Sequence, residues 1–207
     1  MKTSRSNPAT AAAPVLALDI GNVCIALQPT ECANVFGYPS VEALLSKHPR
    51  MGPWTVLLET GRMSEADYIR RLAEEADISE DRVITAMDLV LGPELPGLAD
   101  FLQAATETGL RPVFMSDVST IHYRLLQERL TFLHFIHGAV LSYEVGCQKP
   151  AAGMYEAMER EYCDGRPPAL YVDDKLENIE AARERGWNCY RFGNFREATE
   201  RLGHCRP

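Results

Sequence analysis

The sequence predicts an α/β fold: a doubly wound parallel sheet with a small helical insert after its first strand. Three observations lead there. Five short apolar runs recur along the chain, and single amphipathic helical patterns separate the last four. Strands separated in this way pair in parallel through right-handed crossovers. A helical block of about 65 residues stands between the first run and the others. Finally, 207 residues at 46% hydrophobic suffice for one substantial core plus an insert, and are too few for two full-sized domains.

The elements follow in order. VLALDI (15–20) reads as a buried strand ending in an Asp-x-Gly turn. In the helical block, Ser40 precedes Val41, Leu44 and Leu45, and a short helix starts at Pro53 and stops at Gly61. Ser64-x-x-Asp67 resembles a capping box before Tyr68, Ile69 and Leu72; Asp77-x-x-Glu80 is placed likewise before Val83, Ile84, Met87 and Val90. Pro93 and Pro96 close the block. Then helices over 98–109, 119–130, 151–162 and 176–186 alternate with strands over 111–116, 139–144, 169–174 and 188–192. The expected organisation is a core of 14–28 and 96–207, a helical cap over 29–95, and a disordered tail over 1–13.

Composition excludes several functions. Asp and Glu outnumber Lys and Arg by 29 to 21, a net charge of −8. An acidic chain gains little on nucleic-acid backbones. No run of 18 uncharged apolar residues marks a membrane span. Cys24, Cys32, Cys147, Cys163, Cys189 and Cys205 are scattered without a CxxC pair, so neither zinc nor a disulfide framework is expected, and Cys24, Cys147 and Cys189 read as buried thiols. The N-terminus has two basic residues before small apolar ones, but Pro14 and Asp19 break the stretch, and cleavage there would remove the first strand. The expectation is a cytoplasmic protein, monomer or homodimer.

The informative polar residues fall at strand ends: Asp19 after the first, Ser116 and Asp117 after the second, Lys149 just past the third, and Asp173 and Asp174 after the fourth. In an open parallel sheet these ends share one edge, where ligands bind. Taken singly, each has a bland reading as a turn, cap or solvated loop residue. Together they form a convergent set. Carboxylates from different strands, with a backbone carbonyl, suit Mg²⁺. A hydroxyl and an ammonium suit a phosphate dianion. A carboxylate beside Gly21 can approach phosphorus as a nucleophile.

These segments resemble the haloacid dehalogenase-like (HAD) superfamily. LALDIGNV (16–23), VFMSD (113–117), SYEVGCQKPAAGMYEAM (142–158) and LYVDDKLENIEAARERGW (170–187) match its four motifs in order. The DIGNV form, with LLETGRMSEADYIRRL (57–72), looks like the branch that includes a bacterial sugar-1-phosphate phosphatase. The resemblance implies a Rossmann-like core with a cap that closes over the site and selects the substrate. It implies a Mg²⁺-dependent phosphatase acting on a small phosphate ester through an aspartyl-phosphate. Asp19 would be the nucleophile and a metal ligand, with the Gly21 carbonyl and Asp174 as the other ligands. Ser116, Asp117 and Lys149 would bind the phosphoryl group, Lys149 also neutralising Asp19, while Asp173 and Asn178 would support the metal shell.

Two positions depart from the pattern. Gly21 stands where most of these phosphatases carry an Asp general acid, a group worth ~10²–10⁴-fold in rate. Asp117 stands where this branch has Asn, and a carboxylate facing phosphate would repel it. Asp117 either turns away to cap the following helix with Ser119 or pairs with a cation. These departures motivate a second reading, a non-catalytic binding protein, against which the retained charges argue. A third, a haloacid dehalogenase, needs no metal and leaves the Asp173–Asp174 pair without a use. In the insert, Glu59 and Arg62 are candidates for substrate contact, and Trp54 reads as insert core. His134 and His137 read as packing rather than metal ligands.

Overall fold

The computed structural model describes residues 13–203. Residues 1–12 of the tail expected over 1–13 lie outside the described residues; the Ala13 carbonyl accepts from Arg111 Nε at 3.0 Å. Cys205 also lies outside them.

In chain order the elements begin with β1 (Val15–Leu18), β2 (Ile25–Leu27), α1 (Pro29–Val35), α2 (Val41–Lys47), α3 (Met51–Glu59), α4 (Glu65–Ala76) and α5 (Glu80–Leu89). Next come β3 (Leu91–Glu94), α6 (Leu98–Glu107), β4 (Arg111–Ser116), α7 (Thr120–Arg129) and β5 (Ala139–Leu141). The chain continues through α8 (Ser142–Val145), α9 (Ala152–Tyr162), β6 (Leu170–Asp173), α10 (Leu176–Glu184), β7 (Cys189–Arg191) and α11 (Phe195–Leu202). Five strands form one parallel sheet in the order β5-β4-β1-β6-β7.

Both faces of the sheet are covered, and period-two alternation decides which residue faces which side. Leu16, Leu18, Phe114, Leu141, Leu170 and Val172 pack into one core with residues of α6, α7 and α11. Val15, Ala17, Val113, Met115, Val140 and Tyr171 pack into the other with α9 and α10. Leu18 pairs with both Phe114 and Val172. The next residues, Asp19 and Asp173, therefore emerge side by side at the carboxyl edge.

The structure departs from the sequence reading in four places. The third strand stops at Leu141 instead of 144. Ser142 is fully buried; its Oγ accepts from Val118 N and donates to Val118 O, which turns the chain into α8. Second, β2 and β3 form an antiparallel ribbon at the root of the insert, where the reading had turn and helix; two strands this short, one of them carrying Pro93, leave little periodicity to read. Third, Asp77 does not start α5. It ends α4 in the left-handed conformation at φ +53°, which Asp tolerates. Ser79 caps α5, accepting from Arg82 N. Fourth, Cys147 and Cys189 are only partly buried, whereas Cys24 is buried and its Sγ donates to the Asp19 carbonyl.

Between β2 and β3, helices α1–α5 build a third apolar core around Leu44, Met51, Leu58, Tyr68, Leu72 and Met87, to which α7 contributes Ile121. Among the described residues no helix is long and apolar enough to cross a membrane.

Candidate active site

The carboxyl edge of β1, β4 and β6 gathers the polar residues. The Asp19 backbone N donates to Val172 O at 3.0 Å, which ties the end of β1 to β6. Lys149, just before α9, is buried beneath this edge. Its Nζ lies 2.9 Å from Asp19 Oδ1, 2.7 Å from Asp173 Oδ2 and 2.8 Å from the Met115 carbonyl. These three acceptors use all three ammonium protons.

Electrostatics follows from that arrangement. Burial opposes the charge on Lys149, but Asp19, Asp173 and Asp117 outweigh it and hold its pKa above the ordinary lysine value. Burial raises Asp19 to about 6 despite Lys149, and neighbouring Asp173 adds to the rise. Asp173 is also buried, yet its pKa is lowered because Lys149 and a set of donors hold its charge. Those donors are Lys149 Nζ, Tyr171 OH at 2.5 Å, Lys175 N at 2.9 Å, and Asn178 Nδ2 at 3.0 and 3.1 Å from the two oxygens. Tyr171 is two residues from Asp173 on the same strand face, so the alternation pattern carried a signal for it. The sequence reading assigned it no role.

Asp174 is bound differently. Asn22 Nδ2 donates to its Oδ2 at 3.3 Å, while its buried Oδ1 has no partner, nor does Asn178 Oδ1. Oxygen atoms of Asp19, Asp173 and Asp174 lie within 4.8 Å of one another. With the protein saturating Asp173, the residues that fit a divalent cation are Asp19, the orphaned Asp174 Oδ1 and the Gly21 carbonyl, an all-oxygen set suited to Mg²⁺. No described backbone N–H bonds the Gly21 carbonyl, whereas the Ile20 carbonyl before it accepts from Val23, Cys24 and Ile25. A Cβ at Gly21 would meet Leu27 Cδ1 at 2.9 Å, so Leu27 borders the space an acidic side chain would enter.

Ser116 ends β4 and is buried there. Asp117 neither caps α7, which Ser119 does alone, nor pairs with a side-chain cation. Its Oδ1 accepts from the Lys149 backbone N at 2.9 Å. Burial keeps its pKa raised.

The insert also reaches this edge. Glu59, at the end of α3, accepts a 2.6 Å hydrogen bond from Gln148 Nε2, next to Lys149. Burial and the charge of Asp117 raise its pKa to about 7, against partial relief from Lys175 and Gln148. Arg62 donates to the Gly146 carbonyl. Trp54 instead lies under Arg50 and Arg71, each 5.6 Å from its ring centre. His134 and His137 are exposed, each bonded to a nearby backbone carbonyl.

A family model described as haloacid dehalogenase-like hydrolase matches residues 30–186. Solved structures share the fold. A HAD family enzyme from Bacteroides thetaiotaomicron aligns at TM-score 0.75 and 21% identity, over 86% of this chain and 93% of that one. The same enzyme has been solved in complex with magnesium and inorganic phosphate. A HAD-like family hydrolase from Porphyromonas gingivalis aligns at TM-score 0.73 and 22% identity, over 93% and 98%. An L-2-haloacid dehalogenase from Xanthobacter autotrophicus, with chloropropionic acid covalently bound, aligns at 0.60 and 15%, over 86% and 76%. No curated protein matches the chain significantly.

Proposed function

The chain belongs to the haloacid dehalogenase-like hydrolases, and from that premise we propose that it is a Mg²⁺-dependent phosphomonoesterase acting on a small phosphorylated metabolite. The observation that carries this reading is the orphaned Asp174 Oδ1 beside Asp19, an acceptor pair a divalent cation would satisfy. Support also comes from the magnesium and phosphate complexes of the Bacteroides enzyme. Mg²⁺ held by Asp19, Asp174 and the Gly21 carbonyl would offset the repulsion between an anionic nucleophile and an anionic ester.

The chain's own residues then divide the work. Lys149 keeps Asp19 ionised and aimed. An Asp19 oxygen forms the bond to phosphorus as the bond to the alcohol oxygen breaks, giving an aspartyl-phosphate. Ser116 donates to a phosphoryl oxygen. The leaving oxygen needs a proton, and Gly21 has none to give. Glu59, with a pKa near neutrality, is the insert's proton carrier at this edge. Water then attacks phosphorus, releasing phosphate and restoring Asp19. Helices α1–α5 serve as the cap that excludes bulk water.

The likeness to L-2-haloacid dehalogenase favours a second reading, with the same Asp19 attacking carbon. That chemistry has no use for Asp174. Phosphate and halide release should be measured across phosphate esters, including sugar 1-phosphates suggested by the DIGNV motif, and 2-haloacids, with and without Mg²⁺. Phosphate release that needs Mg²⁺ and is lost in Asp19→Asn is expected. Equal inactivity of wild type and Asp19→Asn on every ester would falsify the phosphatase reading, and metal-independent halide release would replace it.

A further inference from the structure

The insert carries a half-open cavity of about 330 Å³ between its helices and the first turn of α7. That is within the size of small-molecule sites. Leu44, Leu72 and Met87 are among its apolar walls, and Glu59 also lines it. Glu59 is the link to the catalytic edge, since its carboxylate is bonded to Gln148, whose neighbour Lys149 holds Asp19.

Apart from Glu59 at the edge, the hydroxyl and imidazole groups in the walls are already satisfied by the protein. Thr55 Oγ1 and Tyr68 OH are bonded to each other at 2.9 Å. His122 engages Ser119 Oγ through Nδ1 at 3.0 Å and the Met87 carbonyl through Nε2 at 3.1 Å. Burial lowers the His122 pKa to about 4 and pushes the Cys32 thiol up to about 11, so neither is charged near neutrality. Beyond the reach of Glu59, a polyhydroxylated group placed here would lose water without gaining partners, and unpaired polar groups are costly to bury. A hydrocarbon group would lose nothing.

We infer that this cavity receives the apolar part of the substrate's alcohol, so that the preferred ester is a phosphate carried on an alkyl or ring hydrocarbon rather than on a sugar. The assignment rests on the phosphatase reading for its anionic head, and the cavity supplies the selectivity. On this assignment the alcohol's chain runs past Glu59, the lining residue that is bonded to Gln148, and along α3 and α4.

Gly52 offers the means to test this. It lines the cavity from α3, and a Cβ built there meets only Leu45 methyls, at 3.9 and 4.0 Å. Gly52→Leu would fill the cavity without backbone collision, and Gly52→Ala would leave most of it open. The probes are methylphosphonate and n-octylphosphonate, which present the dianion on a bond Asp19 does not break. Calorimetric titration of the full chain with Mg²⁺ should show the octyl compound binding more than about tenfold more tightly, as burial of several methylenes requires. Gly52→Leu should erase that advantage, Gly52→Ala should keep it, and thermal melts of both should match or exceed wild type. Independently of any variant, n-octanol should compete with n-octylphosphonate and leave methylphosphonate unaffected. Equal affinities, an advantage surviving in Gly52→Leu, or absence of competition by octanol overturns the cavity assignment. Asp19-dependent hydrolysis of acetyl phosphate, whose acyl group is too short to reach the cavity, reports separately on the phosphatase reading. Turnover of acetyl phosphate and sugar phosphates with equal phosphonate affinities removes the cavity assignment alone.

Discussion

The Lys149 ammonium stands 2.9 Å from Asp19 Oδ1, and its two other protons are held by Asp173 and the Met115 carbonyl. One cation thus joins the ends of three adjacent strands, β4, β1 and β6. The contact neutralises two buried carboxylates, and on the proposed function it would also aim the nucleophile, coupling catalysis to folding.

Replacing Lys149 should therefore damage both. Lys149→Met leaves Asp19 and Asp173 buried without a counter-charge, a loss on the order of 3–5 kcal/mol. Lys149→Arg should fail too, because a planar guanidinium does not reproduce three convergent ammonium contacts. Denaturant titrations at neutral pH should place Lys149→Met well below wild type, with phosphate release at background in both variants. A stable, active Lys149→Met would refute the coupling.

Asp174 should separate metal binding from stability. Its Oδ1 has no protein partner, and its Oδ2 takes one long hydrogen bond from exposed Asn22. Asp174→Asn should change metal-free stability by less than about 0.5 kcal/mol. Mg²⁺ at a hundred times its dissociation constant should stabilise wild type by about 2.7 kcal/mol and leave the variant unmoved. Melting curves with Mg²⁺ and with a chelator make the comparison. An equal Mg²⁺ shift in both proteins would place the ion elsewhere.

Glu59 carries a pH signature. Its pKa rises to about 7 through burial and Asp117, from an ordinary value of 4.5. Between those values the native state binds more protons at Glu59 than the unfolded chain does. Its contribution to stability therefore falls as pH rises through that window and stays lost above it. Glu59→Gln should gain stability relative to wild type between about pH 5 and about pH 8. The same variant should flatten the alkaline limb of the hydrolysis profile if Glu59 delivers the proton. A pH-independent stability difference would show that Glu59 ionises normally.

Gly61 fixes the approach of insert to core. It has φ +66°, and a Cβ there would lie 2.4 Å from the Tyr143 carbonyl oxygen. Gly61→Ala should cost on the order of 1–3 kcal/mol from backbone strain, with further loss from the collision. Activity should fall with stability, since the displaced α3 carries Glu59. Unchanged melting and turnover would mean that the two parts separate freely in solution.

How much of this was legible in the chain depends on the range of each interaction. The central strands β1, β4 and β6 could be read because burial on both faces leaves continuous apolar runs, and the carboxyl-edge residues could be read because polarity resumes where those runs end. Capping by Ser40, Ser64 and Ser119 is written within three residues of each serine. The two-stranded ribbon was hidden, because its partners lie far apart in the chain and are too short to show a period. Asp77 was misread because its side chain serves a turn as readily as a helix start.

By itself, the sequence determined the α/β layering and which acidic, hydroxyl and amine groups stand at strand ends, since both follow from local apolar periodicity. Tertiary structure alone decided that Lys149 is saturated by three acceptors, that Asp117 bonds a backbone amide, that Glu59 meets Gln148 from 89 residues away, and that α1–α5 line a cavity whose hydroxyl and imidazole groups are already paired. Those outcomes depend on how the insert docks on the core, where shape and hydrogen-bond geometry act between segments that share no local pattern.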